Sequence, residues 1–333
     1  MILRLLVFLL ALSAFPAAPG ASDHGVVLLY HHVSESTPPS TSVTPDRFRQ
    51  HLDYLADNGF NVIALNELLS RGLSGQPLPE NAVAITFDDA YLSVYTEAAP
   101  MLASRGWPFT LFLASQPLDD GVQGYMSWRQ AEELLEMGGD IGSHSHSHDY
   151  LARRQDGEND GQWRRRVETE IDQNLQRIAT KLEVEVTAFA YPFGEYNQAL
   201  KSMVKSRGLY GVAQQSGAVG RHTDPQQIPR FPMATGHDDI DRLKLAVNSQ
   251  PLPVVDERRD STSLTLVLVD SGVPPISCFS AGGESIAVTK VDEARYRVEL
   301  PATGAGRNRV NCTAPTGANT GEFYWHSYLW LGD

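Results

Sequence analysis

Two short stretches carry the residues with the clearest chemical potential. Thr86-Phe87-Asp88-Asp89 sets two carboxylates side by side after the apolar run Ala82-Val83-Ala84-Ile85. Ser143-His144-Ser145-His146-Ser147-His148 sets imidazoles at alternate positions after Asp140-Ile141-Gly142. One carboxylate and two imidazoles make the ligand set of a catalytic zinc-type site, and the second carboxylate is then free to act as a base. Two free carboxylates in contact repel, so one is driven toward protonation, and a divalent ion bound by one of them removes that conflict. His144 and His148, four apart, can meet one ion on a helical turn or a tight loop, with His146 pointing elsewhere. The bland alternatives are a surface histidine tract and Asp88 as a helix N-cap before Tyr91; the cap explains only one aspartate of the pair. The residues point to a metal-dependent hydrolase.

The elements around these stretches alternate. Strand-length apolar runs fall at 26–30, 60–65, 82–87, 109–113, 140–142, 186–190 and 209–213. Helical spacing lies between them: one helix opens at Thr44-Pro45 and ends at Asn58-Gly59, and others run to about 72 and over 91–104, 127–137, 162–180 and 198–207. Alternation of this kind predicts an α/β fold with a parallel sheet and helices outside it. About seven strands over some 220 residues fit a distorted (β/α)7-type barrel covering 22–250. His31, Asp88-Asp89, His144 and Tyr191-Pro192-Phe193 each follow a predicted strand directly, which would gather them at the C-terminal mouth of the barrel. No Gly-rich fingerprint follows the first strand, which argues against a dinucleotide site.

Residues 1–21 read as a secretory signal, with Arg4, an apolar core from Leu5 to Phe15 and small residues at Ala18-Pro19-Gly20. That core is too short to span a bilayer, so no transmembrane segment is expected after signal removal, and the protein is expected in the periplasm or outside the cell. The net charge of −13 argues against a nucleic-acid surface, and Arg164-Arg165-Arg166 reads as a solvated helix face. Pro251-Leu252-Pro253 and the charged run to Asp260 predict a linker over 251–260. Beyond it, 261–333 reads as a small all-β, sandwich-like domain with strands at 264–269, 285–291, 296–300 and 323–330. Cys278 and Cys312 are expected to pair in an oxidising compartment, closing a loop worth about 4 kcal/mol in the chain-entropy model. The closing run Phe323-Tyr324-Trp325-His326-Ser327-Tyr328-Leu329-Trp330 reads as a packed final strand, with stacking on sugar rings as the alternative.

The two motifs resemble the first two motifs of the polysaccharide deacetylases, carbohydrate esterase family 4, and the resemblance extends over roughly 25–245. It implies that Asp88 is the general base and that Asp89, His144 and His148 hold a divalent ion, Zn²⁺ first, with Co²⁺ or Ni²⁺ as alternatives. The implied reaction is hydrolysis of an N-acetyl group through a tetrahedral oxyanion. Where the family reads Arg-x-Pro-Tyr, this chain reads Ala190-Tyr191-Pro192-Phe193. Pro192 is kept, and the backbone N–H of Phe193 can serve the oxyanion whatever its side chain. The arginine that orients the base is missing at Ala190, and Arg230, in Ile228-Pro229-Arg230-Phe231, is the candidate to supply that charge. The family's late Leu-x-His motif is not evident. Tyr30-His31-His32 resembles instead the opening of the branch acting on biofilm poly-β-1,6-N-acetylglucosamine. The resemblance assigns His31 as general acid or substrate-orienting group, with His222 and His237 as runners-up.

The expectation is therefore a secreted or periplasmic N-deacetylase of an acetylated polysaccharide containing N-acetylglucosamine, with exopolysaccharide export or synthesis machinery as a partner. A catalytically silent carbohydrate-binding or scaffold protein is the alternative from another class, prompted by the missing arginine and late histidine. An O-acetyl esterase or peptidoglycan deacetylase of the same fold is the third reading.

Overall fold

The computed structural model describes residues 21–269, 272–317 and 321–332, so the expected signal segment lies outside the described residues except for Ala21. Six strands form one curled parallel sheet in chain order: β1 (His24–Tyr30), β2 (Ala82–Asp88), β3 (Phe109–Leu113), β4 (Gly139–Ser143), β5 (Ala188–Ala190) and β6 (Tyr210–Val212). Every residue of β2 and β3 is buried, as expected for strands covered on both faces. Helices cross between them, including Pro45–Asp57, capped by Thr44, and the long Asp160–Leu182, closed at its start by an Asn159–Gln162 capping box.

The chain then returns to the first strand twice. Ala218–Gly220 (β7) pairs antiparallel with the start of β1, and Phe231–Pro232 (β8) pairs parallel with Leu28 and Leu29 in its second half. Ile228 also bridges Val212 of β6. Residues 228–232 thus lean on β6 at one end and β1 at the other, which closes the distorted barrel and carries Arg230 across the seam.

Some local expectations shift. The strand expected at 60–65 is reduced to Asn61–Val62, added to the edge of β2. The helix expected over 91–104 is a π-type turn, Val94–Ala98, leading into Ala99–Ala103. Pro100 lacks the N–H that an uninterrupted α-helix would need there, so the preceding turn is wider. The helix expected over 162–180 starts two residues earlier and ends two later, because its cap lies at Asn159 and the left-handed Glu183 stops it.

Two sheets make the C-terminal sandwich. One holds Ser249–Pro251 (β9), Ser277–Ser280 (β10), Gly306–Pro315 (β11) and Phe323–Gly332 (β12), together with Ser285–Ile286; the other holds Val254–Arg259, Ser263–Leu268, Val288–Lys290 and Arg295–Glu299. Leu264, Leu266, Val298, Val310 and Trp330 fill the space between them. The linker expected over 251–260 is corrected here: Val254–Arg259 is a strand paired with Ser263–Leu268. It is an edge strand, and its charged side chains are the ordinary protection of such an edge. Cys278 and Cys312 lie directly opposite each other on β10 and β11, with Cα atoms 4.1 Å apart, and form a disulfide. The aromatic closing run is a packed strand: Trp330 is buried and Trp325 lies edge-on to Phe231 of the barrel.

One glycine matters to the site. Gly142 pairs with Phe112 across the β3–β4 ladder, and a Cβ there would come within 2.3 Å of the Phe112 ring. That ring lies beneath the Arg230 guanidinium, 5.2 Å away. Gly142→Ala is therefore expected to destabilise the barrel by about 1–3 kcal/mol through overpacking. Urea unfolding at equilibrium measures this, and an unchanged midpoint would show that Phe112 has room to move.

Candidate metal centre

Asp89, His144 and His148 bring three ligand atoms within 4.8 Å of one another. Asp89 Oδ1 lies 3.3 Å from His144 Nε2 and 3.1 Å from His148 Nε2. His144 Nδ1 is 2.8 Å from the carbonyl oxygen of Ala190. A carbonyl only accepts, so Nδ1 carries the proton and a neutral His144 presents a lone pair at Nε2. Asp89 Oδ1 and His144 Nε2 are both buried without a hydrogen-bond partner among the described residues. Two facing acceptors with no donor between them fit a cation. Tetrahedral ligands at bonds of about 2.0 Å stand about 3.3 Å apart, the separation seen here. Burial opposes a charge on either group. The neighbouring Asp88 and Asp89 nevertheless hold His144 above its ordinary pKa, and His144 and His148 hold Asp89 well below the usual carboxylate range. The field of the site favours positive charge at this point.

The loops that hold these ligands are strained and braced. Seven non-glycine residues among those described have positive φ, and five of them (Asp89, Ala90, Ser145, His148 and Phe193) sit here, at a cost of roughly 1–3 kcal/mol each. The long helix Asp160–Leu182 supplies the bracing from two side chains one turn apart. Glu170 accepts hydrogen bonds from the backbone N–H of His146 (3.1 Å) and Ser147 (2.8 Å) and from the Ser147 hydroxyl (2.8 Å). Asn174 donates to the Leu113 carbonyl (2.9 Å) and to the Ser143 hydroxyl (2.8 Å). The Ser145 hydroxyl accepts from the His148 N–H at 3.0 Å. His146 points away from the centre, between Ser115 (2.8 Å) and Gln173 (3.0 Å).

Asp88, the last residue of β2, lies beside this set, its Oδ2 4.0 Å from His144 Nε2. Arg230 grips it bidentately, Nη1 to Oδ1 at 2.7 Å and Nη2 to Oδ2 at 2.8 Å, with both side chains fully buried. The guanidinium is in turn fixed by the Ala213 carbonyl (2.8 Å) and the Thr86 hydroxyl (3.2 Å). Burial pushes the Asp88 carboxyl up, but Arg230 and then His144 outweigh it, so Asp88 stays below its ordinary pKa and ionised at neutral pH. Gln214 donates weakly to Asp88 Oδ2 at 3.4 Å.

His31 feels Asp88, Asp89, Arg230 and His144 electrostatically; burial is the main cause of its lowered pKa, and it is therefore neutral near pH 7. Phe193 follows Pro192 in a tight turn at φ 57°, stacked on Tyr150 at 3.9 Å and edge-on to His148 at 4.6 Å. His222 and His237 are exposed and belong to other surfaces: His222 lines the cleft between barrel and sandwich, and His237 lines a second cavity. Four supporting residues carry no mark in the sequence: Gln214, the bracing Glu170 and Asn174, and Arg307 of β11, whose Nη1 donates to the Phe193 carbonyl (2.5 Å) and to Gln214 Oε1 (3.2 Å). Nothing local in sequence marks them, because each acts across elements far apart in the chain.

Residues 75–212 match the sequence profile of the polysaccharide deacetylase family. YxkH of Bacillus subtilis is 26% identical over 211 residues, covering 63% of this chain and 71% of that protein. The poly-beta-1,6-N-acetyl-D-glucosamine N-deacetylase of Escherichia coli is 23% identical over 244 residues, covering 63% of this chain but only 36% of that longer protein. Among solved structures, IcaB from Ammonifex degensii superposes with a TM-score of 0.58 at 26% identity, covering 68% of this chain and 96% of that one.

The purified protein is expected to hold about one divalent ion per chain, and stripping the ion should lower its melting temperature. An ion at a hundredfold over its Kd adds about 2.7 kcal/mol, a shift of roughly 5 °C or more. Asp89→Ala and His148→Ala should melt at the same temperature with and without chelator. A wild-type melting temperature indifferent to both chelator and added Zn²⁺ would rule out the centre.

Proposed function

We propose that this chain, whose residues 75–212 belong to the polysaccharide deacetylase family, hydrolyses N-acetyl groups on a polysaccharide containing N-acetylglucosamine. The observation that carries the reading is the unequal treatment of two adjacent aspartates. Asp89 faces the Nε2 atoms of two imidazoles, whereas Asp88, one residue earlier, is turned to a buried arginine and kept as a carboxylate.

Each residue then has a separate task. Asp89, His144 and His148 are the ligand set, and an ion they hold would lower the pKa of its water to about 7 and polarise the acetamide carbonyl. The donor set, two imidazole nitrogens and a carboxylate, suits Zn²⁺ first. Asp88 takes the proton from the attacking water. Arg230 occupies one lone pair on each Asp88 oxygen, which fixes the carboxylate and leaves the others to accept. Arg230 thereby fills the place left empty at Ala190, from a different strand. The backbone N–H of Phe193, presented by the strained turn after Pro192, is the candidate donor to the oxyanion. His31, neutral near pH 7, is the candidate to orient the sugar, and it could serve as general acid to the leaving amine only after taking up a proton during the reaction.

A silent scaffold was suggested by the missing arginine, and the clamped Asp88 weighs against it, since a scaffold has no need of a buried base beside a ligand set. The disulfide supports placement in an oxidising compartment, periplasmic or extracellular. No helix among the described residues is long and apolar enough to cross a membrane. Exopolysaccharide synthesis or export machinery is the partner that this substrate class suggests.

Acetate release from poly-β-1,6-N-acetylglucosamine is the direct test. Asp88→Asn should lower kcat by about 10²–10⁴ with KM little changed. Arg230→Lys, which keeps the charge but not the fork, should lower kcat about tenfold with a smaller effect on stability than Arg230→Met, which leaves a buried carboxylate unpaired at about 3–5 kcal/mol. Cleavage of O-acetyl esters without amide hydrolysis would move the activity to esters. Full turnover by Asp88→Asn would end the base assignment.

A further inference from the structure

The acidic side chains outnumber the basic ones 40 to 27, so carboxylate partners are in surplus, and arginines elsewhere use them, as in Arg153–Glu195, Arg166–Glu158 and Arg207–Asp172. Where the barrel meets the sandwich this pattern breaks. Arg307 and Arg309 are two apart on β11 and so share one face, and Arg242 of the helix Ile240–Val247 comes up to Arg309 from the barrel side. The Nε atoms of Arg242 and Arg309 are buried and have no hydrogen-bond partner among the described residues. Arg242 has the Ser216 hydroxyl at 3.2 Å and the rings of Phe231 and Trp325, each 5.4 Å away, but no carboxylate in ion-pair range among the described residues. Burial and the neighbouring arginines work against both charges, with Asp239 offsetting only part of this for Arg242.

Guanidiniums kept half-buried and unpaired are costly unless something pays them back. They line a cavity of about 390 Å³ whose other walls include His237, Phe279, Asn311 and Thr313, and among the described residues no aspartate or glutamate lines it. That size falls in the range of small-ligand sites, roughly 300–1,000 Å³. Asn311 and Thr313 continue the Arg307–Arg309 face of β11 by the two-residue alternation of a strand. Arg307 touches the Phe193 turn at the catalytic rim, so Arg309 lies roughly 7 Å further along the same strand.

We infer that the cavity between Arg242 and Arg309 is a binding site for an anionic oxygen group, a carboxylate or phosphate carried by a sugar residue of the glycan. Phe279 supplies an apolar wall for the ring, and Asn311 and Thr313 supply polar groups for its hydroxyls. That the anion is carried by a sugar rests on the deacetylase reading; the need for an anion does not. The polysaccharide recognised would then carry acidic substituents in addition to the N-acetylglucosamine units that the acetate-release assay reads.

Calorimetric titration of the full chain with trigalacturonate, maltotriose and inorganic phosphate tests this. Trigalacturonate carries carboxylates but no acetyl group, so turnover contributes no heat. It should bind at least tenfold more tightly than maltotriose, and Arg309→Gln and Arg242→Gln should abolish the preference while Arg309→Lys keeps part of it. Acetate release from a small neutral substrate should be unchanged in Arg309→Gln. If Arg242→Gln does not fold, Arg309→Gln carries the test, since its side chain donates no hydrogen bond among the described residues. Equal affinity for the two trisaccharides, or a preference that survives Arg309→Gln, overturns the site. Phosphate binding as tightly as trigalacturonate would make it a site for a free anion and overturn the sugar assignment. Acetate release measured on the same samples keeps these outcomes apart from a failure of the deacetylase reading.

Discussion

The ion pair between Arg230 and Asp88 is the constraint on which the rest of the site depends. Both side chains are fully buried, and a buried pair of this kind is tolerated only when its geometry is good and its remaining polar atoms are satisfied. Here the fork is bidentate, and the Ala213 carbonyl and Thr86 hydroxyl take two of the remaining donor directions. The packing follows from the pair. Phe112 underlies the guanidinium, and Gly142 leaves room for Phe112. The chain from Ile228 to Pro232 closes the barrel at the point where Arg230 must enter it. A barrel seam and the carboxylate proposed as the base are thus positioned by one residue.

The charge balance explains why the adjacent aspartate takes a different role. Asp88 and Asp89 bring two negative charges into a buried space, and Arg230 neutralises one. The second has only the Nε2 atoms of two imidazoles, and that of His144 presents a lone pair because its Nδ1 is committed to the Ala190 carbonyl. A divalent cation resolves this where a second arginine would not, because it can accept lone pairs from nitrogen and oxygen together. The positive φ angles at Asp89, Ser145 and His148 are the backbone's part of the arrangement. They turn three side chains from two strand ends onto one point, and the hydrogen bonds from Glu170 and Asn174 keep the strained His144–His148 loop from relaxing.

Legibility in the sequence followed the range of the interactions. Residues at and just after strand ends announce themselves, because the strand is an apolar run and the polar residues close it; the candidate base Asp88 and the candidate ligands Asp89, His144 and His148 are legible this way. The six parallel strands were readable for the same reason. The strands that close the barrel were not, since Ala218–Gly220 and Phe231–Pro232 are too short to carry a period. Val254–Arg259 was hidden by charges that suit both a linker and an edge strand. Arg230 is legible only as a replacement for the charge missing at Ala190. Gln214, Glu170 and Arg307 answer to partners far away in sequence and leave no local trace.

The sandwich domain bears on the site through Phe193. That turn carries the candidate oxyanion donor at a positive φ, a conformation its side chain does not favour, so its orientation must be imposed from outside. Tyr150 stacks on the ring from the barrel side, while Arg307 holds the carbonyl from the sandwich side. Gly194, the next residue, has no room for a side chain because Gln214 and Arg307 close over it. Arg307 also touches Gln214, which donates to Asp88, so one arginine of the second domain contacts the supports of both the oxyanion turn and the base. A rim built this way depends on the docking of the two domains, and an anion seated beside Arg309 would bear on that docking next to the groups proposed to do the chemistry.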